Sequence, residues 1–308
     1  MTGTMIDFER LTLADKELYE NYLKKDRCDR GCDFTFPNAY VWGRQHCAEL
    51  FGHFVIFAQY DRQMLYPFPI GDGDKKPVLD AIIEDAAARG IHCCISGICE
   101  GAKDEIERLY PGKFHFHSDE GAFDYVYAID DLADLAGKKY DGKRNHIARF
   151  EDACPNYRCE EINEGNIEKV KSMIDGWYAE RKAKNPDADF HFEQTAISKA
   201  LRHRETLGLD GIALIYGGEV VGVTLGCFLT PDTFDVQFEK AHTDIPGAYA
   251  AVNRDFARYI REKYPDVKYL DREDDMGLEG LRRAKKSYHP HHMIKKYWAC
   301  PYDDEPEE

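Results

Sequence analysis

GIALIYGGEVVGVTLGCFLTPDTFDVQFEK, residues 211–240, is the stretch on which the fold turns. Two β-rich runs, 211–216 and 219–229, are separated only by Gly217 and Gly218. Paired glycines supply the positive φ angles that a tight turn demands, so the run predicts an antiparallel hairpin. A third strand follows over 233–240. Pro246 and Gly247 lead into a predicted helix over 248–263, and 267–270 reads as a further strand. Upstream, Ile167, Val170, Met173, Ile174 and Trp177 recur at helical intervals, which predicts an amphipathic helix over 166–184. A second helix is expected over 191–204.

The first half has the same order without the same sequence. Helices are predicted over 15–25, over 34–46 with an interruption near Pro37, over 77–89 with Gly90 as the stop, and over 105–110. Strands are predicted over 50–60 and 64–67 with a turn at 61–63, then over 91–95 and 123–129. His115 and His117 share one face of an extended run. The expected division is a domain over 1–135, a second over 136–302, and an acidic tail over 303–308.

The composition sets bounds. At 308 residues, 43% hydrophobic and 13% aromatic, the chain can bury substantial cores. No apolar run approaches a membrane span, and MTGTMIDFERLTLADKE is too polar for a secretory signal. The expectation is a soluble, cytoplasmic protein without an integral membrane segment. A net charge of −16 argues against broad nucleic-acid binding but leaves room for one local basic groove. The ten cysteines show no spacing that assembles four zinc ligands, so reduced, mostly buried thiols are expected. Neither His115 with His117 nor the group His289, His291 and His292 has cysteine or carboxylate partners at metal spacing, so no metal is expected.

Residues 268–298, KYLDREDDMGLEGLRRAKKSYHPHHMIKKYW, carry the strongest chemical signal. The run turns acidic at Asp271, Glu273, Asp274 and Asp275. It then breaks at Gly277 and Gly280 and becomes basic at Arg282, Arg283, Lys285, Lys286, Lys295 and Lys296. One reading is a solvated helix face. The other is a grip on a phosphate-bearing ligand. A second basic island, Lys138, Lys139, Lys143, Arg144 and Arg149, falls near the expected domain junction, where clefts favour ligands.

Four strings carry a family resemblance: CDFTFPNAYVW (32–42), GKKYDGKRNHIARF (137–150), FEKAHTDIPGAYAAVNRDF (238–256) and DREDDMGLEGLRRAKKSYHP (271–290). Together they resemble the phosphatidylglycerol lysyltransferase C-terminal domain family, in particular a soluble branch without an assigned function. The resemblance implies an α+β protein with two tandem GNAT-like (acyl-CoA N-acyltransferase) domains. Each would be a mixed, mostly antiparallel sheet flanked by helices, as in the Fem-type aminoacyltransferases. It implies transfer of an acyl or aminoacyl group from a CoA-type or aminoacyl-tRNA donor to an amine or hydroxyl acceptor, a small molecule or a lipid head group. No tightly bound cofactor is implied. Gln237 to Lys240 stands where the lipid enzymes have an Asp three residues before an Arg. DIPGAYA stands where ordinary GNAT enzymes have a glycine-rich phosphate loop. The donor therefore stays open, with net charge against tRNA.

Acyl transfer to an amine needs help for the nucleophile, for the oxyanion and for the leaving group. Glu239, at a strand end, is the candidate for orienting or deprotonating the acceptor; the alternative is a surface Glu–Lys pair. Tyr288 is the candidate proton donor; the alternative is packing beneath Pro290. Lys285 is the candidate contact to phosphate or developing charge, with Arg282 as a forked partner. Gly247, Ala248 and Tyr249 open a helix whose free N–H groups suit a phosphate, and Asn253 lies further along it. Gly222, Leu225 and Gly226 lie where a donor arm can approach the strand, or where the glycines mark a bulge. Lys143 and Arg144 complete the candidate donor site. The same scaffold also suits a non-catalytic protein that binds an anionic ligand.

Overall fold

The computed structural model describes residues 5–60 and 63–302. The expected acidic tail, 303–308, lies outside the described residues, as do Asp61 and Arg62 of the expected turn. The chain divides into two compact units, Met1–Phe123 with Ile294–Glu308, and Asp124–Met293. This differs from the expected seam after residue 135 for two reasons. The strand at Asp124–Ala128 pairs into the second sheet, and the last strand returns to the first.

Among the described residues of the first unit, the chain forms β1 (Glu9–Arg10), α1 (Lys16–Leu23), α2 (Phe36–Val41), β2 (Arg44–Leu50), β3 (His53–Tyr60), β4 (Gln63–Pro67), α3 (Lys76–Arg89), β5 (Ile95–Ile98), α4 (Glu100–Leu109) and β6 (Phe114–His117). The helix expected over 34–46 is shorter. Pro37 sits in its first turn, Thr35 accepts a hydrogen bond from the Asn38 N–H at 3.3 Å, and Gly43 at φ 67° breaks the chain into β2. The strand expected from residue 50 begins later, because Phe51 and Gly52 both take positive φ and turn β2 back onto β3. Cys28 and Cys99 form a disulfide, with their Cα atoms 6.3 Å apart; this corrects the expectation that every thiol is reduced.

The second unit begins with β7 (Asp124–Ala128), followed by α5 (Ile129–Asp134), α6 (Asp141–Ala153), β8 (Arg158–Glu161), α7 (Ile167–Lys184), α8 (His191–Arg202), α9 (Arg204–Leu207), β9 (Asp210–Tyr216), β10 (Glu219–Thr230), β11 (Thr233–Ala241), α10 (Ala248–Lys263), β12 (Tyr269–Asp271), α11 (Glu279–Lys286) and β13 (His292–Ile294). The final strand, β14 (Tyr297–Pro301), belongs to the first unit. The sheet orders are β1-β2-β3-β4-β5-β14-β6 and β13-β7-β12-β11-β10-β9-β8. β4–β5 and β11–β12 are parallel pairs in otherwise largely antiparallel sheets.

The α10 face of the second sheet is the core. Val252, Phe256 and Ile260 of α10 bury against Ile212, Leu214 and Val236, with Ile147 and Phe150 of α6 beside them. Burying each large aliphatic or aromatic side chain there contributes about 1.5–3 kcal/mol. Gly222 makes this contact possible, since a Cβ there would lie 2.3 Å from Cγ2 of Val252. Successive side chains of β11 point to opposite faces. Lys240 therefore lies over Trp177 of α7, its Nζ 4.4 Å from the ring centroid and 2.6 Å from Oε1 of Glu193. Glu239 turns the other way, toward α10.

Candidate active site

Parallel pairing of β11 with β12, in the register Asp235 to Asp271, carries the chain to Arg272 beside the far end of β11. There Nη2 of Arg272 donates to Oε1 of Glu239 at 3.0 Å, and the two side chains are only 13% and 14% exposed. Asn253, buried in α10, brings its Nδ2 to 3.5 Å from the other Glu239 oxygen. The Arg272 guanidinium lies 5.0 Å from the centre of the Tyr288 ring, and Nζ of Lys143 lies 3.7 Å from that centre. Glu239, Arg272, Asn253, Tyr288 and Lys143 thus form one cluster drawn from five segments of the second unit.

The cluster sets its own electrostatics. Burial and the Arg272 charge pull the Lys143 ammonium down to about 8, with Glu239 opposing. Burial pushes the Tyr288 phenol up to about 12, Arg272 opposing and Glu239 adding. Burial disfavours the Arg272 charge, but Glu239 and the two tyrosines, Tyr127 and Tyr288, outweigh it, so the guanidinium holds its proton more tightly than usual. Among the described residues no hydrogen bond reaches the Tyr288 hydroxyl, while its backbone carbonyl accepts from the Tyr140 hydroxyl at 3.0 Å. The ring is fixed and the hydroxyl is left for something else.

Several expected ligand contacts are structural instead. Lys285 is buried, and its Nζ donates to the carbonyls of Arg272 and Asp274; burial, then Arg272, lowers its pKa. It fixes the turn that carries Arg272 and is not presented to a ligand. Arg282 forks onto Asp275 at 2.8 and 3.1 Å, and this bond, ahead of all other causes, holds the Asp275 carboxyl down at about 2. Within the run 271–286, Asp275 and Arg282 therefore neutralise each other across a folded turn. Arg144 caps the carbonyls of Leu135 and Gly137 and pairs with Asp141. Lys296 lies in the first unit, 2.7 Å from Asp33.

The expected donor contacts on β10 and α10 also pack internally. Gly226 marks a register shift against β11, and a Cβ there would stand 1.9 Å from the Asp235 carbonyl oxygen. Leu225 is fully buried. Gly247 takes φ 79°, and its absent Cβ would fall 1.9 Å from the His146 carbonyl oxygen, so the start of α10 seats on α6. Ala248 is buried with it. The Tyr249 hydroxyl accepts from Nε1 of Trp177 at 3.1 Å.

Beside the cluster opens a cleft of about 760 Å³. Lys139 and Lys143 of the 138–149 basic island and Arg283 of the 282–296 island line it, together with His146 and His289. No carboxylate is among its lining residues. The two islands meet here, but wholly within the second unit and not at the expected domain junction. Lys143, whose Nζ donates to Oγ of Ser287 at 2.6 Å, belongs to both the cleft and the Glu239 cluster. Arg272 is the residue that sequence reasoning missed. Its signal was a lone base inside an acidic run, two residues after the apolar strand 267–270.

The family described as phosphatidylglycerol lysyltransferase, C-terminal, matches residues 26–300. The chain belongs to this family. A conserved protein of unknown function from Bacteroides thetaiotaomicron has the same fold at a TM-score of 0.88 and 36% identity, over 96% of this chain and 100% of that one. L-PGS from Bacillus licheniformis superposes at a TM-score of 0.70 and 15% identity, over 97% of this chain and 95% of that one. An uncharacterized protein of Mycoplasmoides gallisepticum is 23% identical over 179 residues, 58% of this chain and 56% of that protein. The chain thus spans about half the length of that curated relative. The chain shares with L-PGS a fold of two mixed sheets flanked by helices. No described helix is long and apolar enough to cross a membrane.

Proposed function

We propose that the second unit transfers an acyl or aminoacyl group from a CoA-type or aminoacyl-tRNA carrier to an amine or hydroxyl acceptor, by direct attack. What supports this reading most is Lys143, shared between a basic cleft suited to the carrier's phosphates and a Glu239–Arg272–Tyr288 cluster suited to proton transfer. The acceptor attacks the carbonyl carbon and gives its proton to Glu239. The C–S or C–O bond to the carrier breaks, and Tyr288 protonates the departing atom. A phenol held at about 12 keeps its proton at neutral pH, as a general acid must. Lys143 and the Arg272 guanidinium lie where negative charge on the carbonyl oxygen can be met.

Turnover with a panel of acyl-CoAs and aminoacyl-tRNAs tests the reading. Tyr288→Phe and Glu239→Gln should each lower kcat by about 10²–10⁴-fold while the donor still binds. Donor binding without transfer in the wild-type protein points instead to an anionic-ligand sensor on the same scaffold. Steep weakening of binding with salt marks a polyphosphate-backbone donor, and shallow weakening a CoA-sized one.

A further inference from the structure

The first unit holds a second chemical cluster. β14 pairs with β6 so that Cys300 lies opposite His115 and Trp298 opposite His117. Alternation puts His115, His117, Trp298 and Cys300 on one face of the sheet. The ligand atoms of His115, His117 and Cys300 all lie within 4.8 Å of one another. Cys94, just ahead of β5, adds its sulfur 2.8 Å from that of Cys300. Nδ1 of His115 is buried without a hydrogen-bond partner. Such a nitrogen costs about 1–3 kcal/mol unless something satisfies it. His117 is exposed and stacks on Trp298, ring centres 5.5 Å apart. Both belong to one side of the site, where a cleft of about 750 Å³, also lined by His92 and Asp119, gives access from solvent.

We infer that Cys94, His115, His117 and Cys300 bind one late first-row divalent cation of the zinc class. Two thiolates and two imidazoles are the donor set such ions select, and four ligands suit a tetrahedron. With metal–sulfur bonds of about 2.3 Å, tetrahedral geometry sets the sulfurs roughly 3.8 Å apart. Binding therefore parts Cys94 from Cys300 by about 1 Å. The ion displaces the thiol protons, so loading releases up to about two protons per metal. The sequence hides this site because Cys300 reaches the histidines only through a strand that returns after the whole second unit.

Cobalt(II) titration of the full-length, metal-free, phosphine-reduced protein tests the inference. One equivalent should give the visible bands of a tetrahedral site and a thiolate-to-metal charge-transfer band, with protons released in weak buffer. Cys300→Ser should abolish the charge-transfer band or cut it sharply, and Cys94→Ser should halve it. His117→Ala, at an exposed position that leaves folding intact, should weaken binding by more than the roughly 10–100-fold typical of losing an outer-shell partner. Loading should also change the fluorescence of Trp298, which stacks on His117, and Trp298→Phe should lose that change while keeping the cobalt bands. Cys159→Ser, at an exposed thiol of the other unit, should change nothing. Absence of the cobalt bands in the reduced protein, or bands unmoved by Cys300→Ser and His117→Ala, overturns the inference.

Discussion

Arg272 and Glu239 are the pair whose removal should be felt most. Each is largely buried and each neutralises the other, so losing one leaves an uncompensated charge. Arg272→Met is expected to cost about 3–5 kcal/mol of stability in urea denaturation, and Arg272→Met with Glu239→Leu to recover much of it. Lys143 makes a pH-dependent prediction. Its pKa falls from 10.5 in the unfolded chain to about 8 in the fold, so burial of its charge penalises the folded state below pH 8. That penalty is relieved as pH rises from 8 toward 10.5, because the unfolded chain then binds the extra proton. Lys143→Met should stabilise the protein at pH 7, and its advantage over wild type should shrink across that window. Glu239 was legible in the sequence as a strand-end carboxylate, Asn253 as an amide inside the helix over 248–263, Lys143 as a member of a basic island and Tyr288 as an aromatic beside Pro290. Lys285, Arg282 and Arg144 were misleading, because a sequence gives the charge of a side chain but not the carbonyl or carboxylate it folds back upon.

At the scale of elements, glycine positions govern how closely helices and strands approach. Gly247 starts α10 in a left-handed conformation against the His146 carbonyl, and Gly222 receives Val252. Gly247→Ala meets both strain and a main-chain clash, and Gly222→Ala meets a clash with a side chain that can shift. Overpacking of this kind costs about 1–3 kcal/mol, so both should lower the Tm, Gly247→Ala more than Gly222→Ala. The hairpin β9–β10, the helices α7 and α10 and the strand β11 were readable because their periodicity and glycine turns agree. Elements 34–46 and 50–60 were misdivided where a proline, two glycines and a phenylalanine at positive φ made breaks inside apolar runs. The acidic turn after β12 was unreadable as a staple until Asp275 met Arg282 and Tyr125 in space.

For the whole molecule, the order of the two sheets matters more than the position of any one seam. β14 lies between β5 and β6, so the first unit is completed by the last residues described. A chain ending at Met293 should lose the cooperative unfolding and protease resistance of the first unit while Asp124–Met293 stays protected; equal resistance of both units would contradict that topology. No sequence pattern announced this return, since β14 is short and far along the chain from its partners. In a chain of net charge −16, the proposed recognition of a carrier rests on the local basic cleft. The decisive measurement is calorimetric titration of CoA and of aminoacyl-tRNA into wild-type protein, Lys143→Ala, Arg283→Ala and, as a control on an exposed strand end, Lys268→Ala. If the basic cleft holds the carrier, one donor binds, Lys143→Ala and Arg283→Ala each weaken it at least tenfold, and Lys268→Ala leaves it unchanged. Equal affinity across all four proteins would contradict that reading.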